Sequence, residues 1–370
     1  MGATFPFGIE EEYFLVDAQT KRMVTDVSAD FFEAASTATR GRISREFLQP
    51  QIEAKSSPRE NMADGSAEIR ELRQIVSAIA AQHGLAILAA GTHPTGLWRT
   101  AQQTPKERYD KVMDDLQMIG QRDLLCGLHV HVELPDPDQR VDIMCRMLPY
   151  LPLLLALSTS SPFWQSRRTG LKGYRLAAYD ELPRTGVPEL FRSREEFDAY
   201  VDALVRAGLI KDSSYIWWAI RPSFDKPTLE LRAPDCCTLV EDSVAIAALY
   251  RTIVRHLYLD RGRNADLDSV QRALVIENKW QAQRYGVHAT FVASTGAVMM
   301  TDMLETVIRD TAADAAALGC TAEIERCRVI AGYGTSADAQ LAIYDKHVAS
   351  EGHSAALRAV TAWIAAATLL

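Results

Sequence analysis

The segment Gly127-Leu128-His129-Val130-His131-Val132-Glu133-Leu134 constrains this chain more than any other. Strand side chains alternate between two faces. Leu128, Val130, Val132 and Leu134 therefore line one face, and His129, His131 and Glu133 the other. The first face requires an apolar layer beneath it. The second carries imidazoles two residues apart, which can converge on one ligand or cation. A polar outer face on a half-buried sheet satisfies the same alternation.

Two further segments repeat the design. In Gly8-Ile9-Glu10-Glu11-Glu12-Tyr13-Phe14, Glu10 and Glu12 share a face, while Glu11 points away with Ile9 and Tyr13. Neighbouring carboxylates repel unless a cation or solvent compensates them, so this is either a metal-binding strand or a solvent-facing edge. In Thr228-Leu229-Glu230-Leu231-Arg232-Ala233-Pro234, Glu230 and Arg232 oppose Leu229, Leu231 and Ala233. Such a pair can hold a metal and a phosphate oxygen side by side, or form a plain ion pair. The loop Ser166–Arg175 packs four cations and two glycines into ten positions. That composition suits an anion site approached by backbone, or a solvated basic loop. Arg221 is a further cation at a strand end.

Between these segments the periodicity predicts a strand over 4–16 and a helix over 64–83, with Ile69, Leu72 and Val76 on its buried face and Gly84 as a stop. It also predicts a strand over 85–90, a helix from Pro105 to Ile119 and a strand over 125–134. A helix over 138–157 should kink at its prolines. Ser193 with Glu196 forms a capping box opening a helix to Ala207. Strands over 215–221 and 227–233 precede a region, 239–370, that is mainly helical. Strands and helices interleave without a regular βαβ rhythm, so the expected class is α+β, in a single catalytic domain spanning 1–370.

A net charge of −8 argues against a nucleic-acid partner. The start lacks the basic and apolar segments of a signal peptide. The apolar stretch Met147–Leu157 is too short for a bilayer and is interrupted by Pro149 and Pro152, so no membrane partner is expected. Six cysteines without a CxxC indicate free thiols and a cytoplasmic setting. The P-loop, the dinucleotide fingerprint, the HExxH zinc helix and the GxSxG elbow are all missing.

Several strands with a charged and an apolar face, beside several arginines, are what Mg²⁺-ATP chemistry needs. The segments GIEEEYFLVD, QPQIEAKSSP, CGLHVHVELPD, SRRTGLKGYR, TLELRAPD and ENKWQAQRYG together resemble the bacterial glutamate–cysteine ligase type 2 family of carboxylate–amine ligases. The resemblance implies a glutamine-synthetase-like fold: a curved, mostly antiparallel sheet with helices behind it. It implies Glu10, Glu12, Glu53, His129 and Glu230 as ligands of Mg²⁺ or Mn²⁺, with His131 on the same face. It places Arg221 and Arg232 at ATP phosphates, Arg168 at the substrate carboxylate, and Asn278 and Arg284 in the nucleotide site. The implied reaction is ATP-dependent joining of a carboxylate to an amine through an acyl phosphate, with glutamate and cysteine as default substrates and a homodimer as the family expectation. A zinc hydrolase using the H-x-H strand is the competing reading. It would need further histidines, of which His256 sits in a helical pattern and His288 in an uncertain segment. A non-catalytic nucleotide-binding relative is the third.

Overall fold

The structure, a computed structural model, describes residues 4–370; the first three residues of the N-terminal stretch lie outside it. Its centre is a seven-stranded sheet of β1 (Phe7–Asp17), β2 (Ile43–Arg45), β3 (Gln51–Lys55), β4 (Leu85–Leu88), β5 (Leu128–Glu133), β8 (Ile220–Pro222) and β9 (Thr228–Leu231). Two-residue strands β6 (Phe163–Trp164) and β7 (Arg167–Arg168) form a separate ribbon. The main order is β2-β3-β1-β5-β9-β8, and β4 pairs with the second half of β1. Every pair in this sheet is antiparallel.

Register carries the chemistry across the sheet, because directly opposed residues share a face. Glu12 lies opposite Glu53 and Glu10 opposite Lys55 on β3. On the other edge of β1, Glu10 lies opposite His129. His131 then faces Glu230, and Glu230 faces Arg221. One sheet face thus becomes a continuous row of ionisable groups. The opposite face buries Ile9, Leu128, Val130, Leu229 and Leu231. Helices 62–82, 140–147 and 240–259 pack behind that apolar face.

The helix expected over 64–83 runs Met62–Gln82, capped by Asn61, and the chain turns at Gly84 with a φ of +69° that suits glycine. The helix expected over 105–119 is shorter. It spans Glu107–Leu116, breaks at Gln117 with a φ of +51°, and resumes for one turn at Met118–Gln121. The prolines act as expected on 138–157, where helices Arg140–Met147 and Leu151–Ser158 are joined by the 3₁₀ turn Leu148–Tyr150. The whole helical run Pro137–Ser158 is long and apolar enough to cross a bilayer, but 89% of its apolar window is buried inside the protein. The box at Ser193 is half formed. Ser193 accepts from the Glu196 N–H, but the Glu196 carboxylate accepts from Arg192 N–H, one residue earlier. The strand expected over 215–221 shortens to three residues, since 213–215 form a 3₁₀ turn. The helical C-terminal region also contains a hairpin, Thr290–Ala293 with Gly296–Met299.

Candidate active site

The polar row opens into a cavity of about 630 Å³. Glu10, Glu12, Glu53 and His129 converge in it. Ligand atoms of Glu10, Glu53 and His129 lie within 4.8 Å of one another, and those of Glu12, Glu46 and Glu53 do likewise. The two clusters share Glu53. All these residues except the half-buried Glu46 are buried.

The electrostatics of the cluster are unbalanced. Burial pushes Glu12, Glu46 and Glu53 above the ordinary carboxylate range. Glu53 adds to the shift at Glu46, and Glu10 to the shift at Glu53. Glu10 goes the other way: against the upward push of burial, the imidazoles of His129 and His131 and the nearby Lys55 ammonium hold it well below that range. Burial and then Arg232 lower His129 to about 4, so its imidazole is neutral at physiological pH. Both of its ring nitrogens are buried without a hydrogen-bond partner, although Glu10 and Glu12 oxygens stand 3.8 and 3.7 Å away. A neutral imidazole with free nitrogens among crowded carboxylates is a donor set for a cation. The preponderance of carboxylate oxygen suits Mg²⁺ or Mn²⁺.

His131 and Glu230 line the same cavity but belong to neither cluster. His131 Nδ1 is 2.8 Å from Thr228 Oγ1, and its Nε2 is 3.5 Å from Glu10. Glu230 accepts from Arg221 Nε at 2.7 Å and from Arg232 Nη1 at 2.5 Å. Despite its burial, these two guanidiniums hold it well below the carboxylate range. The expected metal-and-phosphate pair on this strand is therefore a two-arginine clamp on one carboxylate. Arg232 also donates to Tyr179 Oη, while its Nε is buried without an acceptor.

Three expected site residues do not line the cavity. Arg168 sits on the small β6–β7 ribbon, half-exposed, and pairs with Asp345 at 3.0 Å. The Asn278 side chain pins the distant hairpin, bonding both the N–H and the C=O of Val292. Arg284 stacks on Tyr285. The cation of the arginine–glycine loop that reaches the cavity is Arg175, the last residue of that segment. Composition could flag the loop but could not say which arginine turns inward. Arg175 lies on a helix, Tyr174–Tyr179, that begins right after Gly173. It packs so tightly on Gly127 that a Cβ there would stand 2.1 Å from Nη2. Glu46, Lys55 and Asp123 also line the cavity and carried no sequence signal as site residues. Burial, then the charge of Glu12, raises Asp123 to about 7.

The zinc-hydrolase arrangement is not built here. Among the described residues, His129 is the only histidine in either cluster. His256 is bonded to Asp314, and His288 is largely exposed beside Asp338.

A family model described as glutamate-cysteine ligase family 2 matches residues 6–360. The chain belongs to this family. A relative from Bradyrhizobium sp. (strain ORS 278), whose name as a glutamate–cysteine ligase 2 is provisional, is 54% identical over 365 residues, covering 99% of this chain and 88% of the relative. A relative from Rhodospirillum rubrum with the same provisional name is 42% identical, covering 92% of this chain and 89% of the relative. Among solved structures, a glutamate–cysteine ligase from Francisella tularensis in complex with AMP superposes with a TM-score of 0.71 at 12% identity, covering 100% of this chain and 89% of that one. A bifunctional glutathione synthetase from Pasteurella multocida gives 0.72 at 16% identity over 99% of this chain, which spans 53% of that longer one. At such identities these structures establish the fold, the α+β sheet-and-helix scaffold expected from the sequence.

Proposed function

We propose that this family member is an ATP-dependent carboxylate–amine ligase, with ligation of glutamate to cysteine as the reaction to test first. The observation that carries the reading is the joining, in one cavity, of the unbalanced cluster Glu10, Glu12, Glu53, His129 to the cations Arg175, Arg221 and Arg232.

The chemistry divides into two displacements. A carboxylate oxygen of the first substrate attacks the γ-phosphorus of ATP; the bond to ADP breaks and an acyl phosphate forms. The amine then attacks the acyl carbon, phosphate leaves with its oxygen, and the amine proton passes to solvent. No protein nucleophile is needed. Glu10, Glu12, Glu46, Glu53 and His129 would hold divalent cations, which when bound supply charge neutralisation for the phosphates. Arg232, with its unpartnered Nε, and Arg221 supply guanidinium charge to the transferring phosphoryl group. Arg175, whose charge acts on Glu12, is the cation suited to the substrate carboxylate or its acyl phosphate. Phe47, Tyr109, Val112 and Trp217 add apolar and aromatic surface to the cavity lining, which would limit water around the reactive anhydride. The six cysteines are free and buried, which suits a reducing cytoplasm and leaves them no part in the chemistry.

The test is ADP release with Mg²⁺-ATP across paired amino acids and amines, followed by mass spectrometry of the amide. ADP formation that requires both a carboxylate and an amine supports the reading. Hydrolysis independent of ATP, with tightly bound zinc, overturns it.

A further inference from the structure

Arg175 depends on a residue that does not itself line the cavity. Its helix, Tyr174–Tyr179, begins at Gly173, which has no side chain to cap the first turn. The opening N–H groups of a helix need acceptors, normally a Ser, Thr, Asp or Asn at the N-cap. Gly173 cannot readily become one of these, because a Cβ there would stand 3.1 Å from Thr159 Cγ2. Ser161, from a different segment, takes over the task. Its carbonyl accepts from Tyr174 N–H at 3.3 Å, and its hydroxyl oxygen accepts from Arg175 N–H at 2.9 Å.

The hydroxyl is itself fixed. Ser161 Oγ donates to Asp235 Oδ2 at 2.6 Å, and that same oxygen accepts from Ser160 N–H at 2.9 Å. Asp235 is bridged backbone to backbone with Gly127, the glycine against which the Arg175 guanidinium packs. At the far end, Arg175 Nη1 donates to the carbonyls of Arg232 and Pro234 at 3.2 and 3.0 Å. The helix start and the guanidinium are thus both tied to the segment that follows β9. Both cavity-lining residues of this short helix, Arg175 and Tyr179, inherit their positions from that tie. Ser161 and Asp235 are themselves fully buried.

We propose that Ser161 is a positioning residue: it caps the Tyr174–Tyr179 helix from outside the helix, with Asp235 orienting its hydroxyl, and so sets Arg175 for the carboxylate substrate. The inference rests on the ligase reading for what Arg175 binds, but not for where Arg175 sits.

Four variants test it. Ser161→Ala removes the cap and is expected to raise KM for the carboxylate roughly tenfold, a misplacement effect, while KM for ATP moves less than about twofold. Asp235→Asn keeps an acceptor oxygen for Ser160 N–H and Ser161 O–H, so a cap needs only that oxygen and the change in KM should be smaller. If Asp235 instead acted through its charge on Arg175, Asp235→Asn would be the larger perturbation, and that result overturns the proposal. Ser160→Ala is the control for burial alone. Its hydroxyl serves Gly91 N–H and the Cys236 carbonyl, not the helix, so KM for the carboxylate should stay at the wild-type value. Adding Ser161→Ala to Arg175→Gln should change KM for the carboxylate far less than Ser161→Ala does alone, whereas an undiminished effect in that background overturns the assignment.

A readout independent of activity separates this proposal from the ligase reading. Phenylglyoxal modification of Arg175, followed by peptide mass spectrometry, should accelerate in Ser161→Ala and not in Ser160→Ala. Equal labelling in both overturns the positioning role even if the enzyme is a ligase. Selective labelling upholds it even if no ligation is found.

Discussion

Adjacent residues of β1 meet opposite electrostatic circumstances. On the cavity face, Glu10 and Glu12 crowd Glu53, and His129 between them has no hydrogen-bond partner. On the packed face, Glu11 is fully buried, yet every lone-pair site of its carboxylate is used. It accepts from Arg73 Nε at 2.8 Å, Arg73 Nη2 at 2.6 Å, Tyr13 Oη at 2.5 Å and the Ser243 hydroxyl at about the same range. Arg73 spends its remaining donors on the carbonyls of Cys237, Thr238 and Thr368. One strand therefore carries a closed charge network behind it and an open one in front. A closed network is complete as folded and holds elements together, here β1, helix 62–82, the segment before helix 240–259 and the C-terminal end. An open network leaves its balance to a ligand. The same residue type one position along a strand can be structural or left open for a ligand, according to whether its partners are built in.

The largest expected effect lies on the closed side. Arg73→Met leaves Glu11 as an uncompensated buried charge and should lower unfolding free energy by about 3–5 kcal/mol. Adding Glu11→Gln should restore part of that loss, because the penalty belongs to the orphaned charge. Urea denaturation measures both. A cost below about 1 kcal/mol for Arg73→Met would show that the back face tolerates an unpaired carboxylate, and the contrast between the faces would break.

On the open side the sign pattern reverses. Glu10→Gln should reduce turnover by about 10²–10³-fold, with unfolding free energy in the absence of divalent cations within about 1 kcal/mol of wild type. Full activity in this variant would remove the cluster from the mechanism. Glu53, shared by both clusters, allows a finer test. Mg²⁺ at about 100 times its Kd should stabilise the wild-type protein by about 2.7 kcal/mol. In Glu53→Gln most of that gain should vanish, while the cation-free protein is no less stable than wild type, since burial and Glu10 already disfavour the Glu53 charge. Thermal melts with and without Mg²⁺ read both quantities.

How much of this was legible in the sequence follows from geometry. Alternation on β1, β5 and β9 gives faces, and faces gave the row from Glu12 to Arg232. Nothing in a period of two gives register, so the sequence does not show the opposition of Glu12 to Glu53; the resemblance implies Glu53 as a ligand without saying what it faces. The periodicity puts Arg73 in a helix but gives no sign that it crosses to Glu11, 62 residues away, since such a pairing depends on how the helix lies on the sheet. In the basic loop, composition marks only the segment and the resemblance points to Arg168, but a two-residue ribbon turns that side chain to Asp345, and the helix starting after Gly173 turns Arg175 inward. Glu46 sits beyond the end of β2, where no alternation marks its direction.

The smallest expected effect comes from a carboxylate that falls between the two cases. Glu68 lies on the helix behind the sheet and is itself buried, but its partners Arg42 and Arg59 reach into solvent. Burial pushes its pKa up; the hydrogen bonds from Arg59, Ser57 and Arg42 outweigh that and leave it below the ordinary value. A depressed folded-state pKa means that the unfolded chain takes up the proton first as pH falls. The stabilisation is therefore complete above about pH 4.5, the ordinary value of a free glutamate, and is lost as pH drops through the lower folded-state value. Because the arginines are screened by water and salt, the gain is about 0.5–1 kcal/mol. Glu68→Gln should cost that much at pH 7 and progressively less as pH falls below the free carboxylate's value, and raised salt should shrink the neutral-pH difference. A cost at pH 7 as large as that of Arg73→Met would mean that a closed network needs only a buried carboxylate and not buried partners, and the distinction drawn from Glu11 would have to be redrawn around the carboxylate alone.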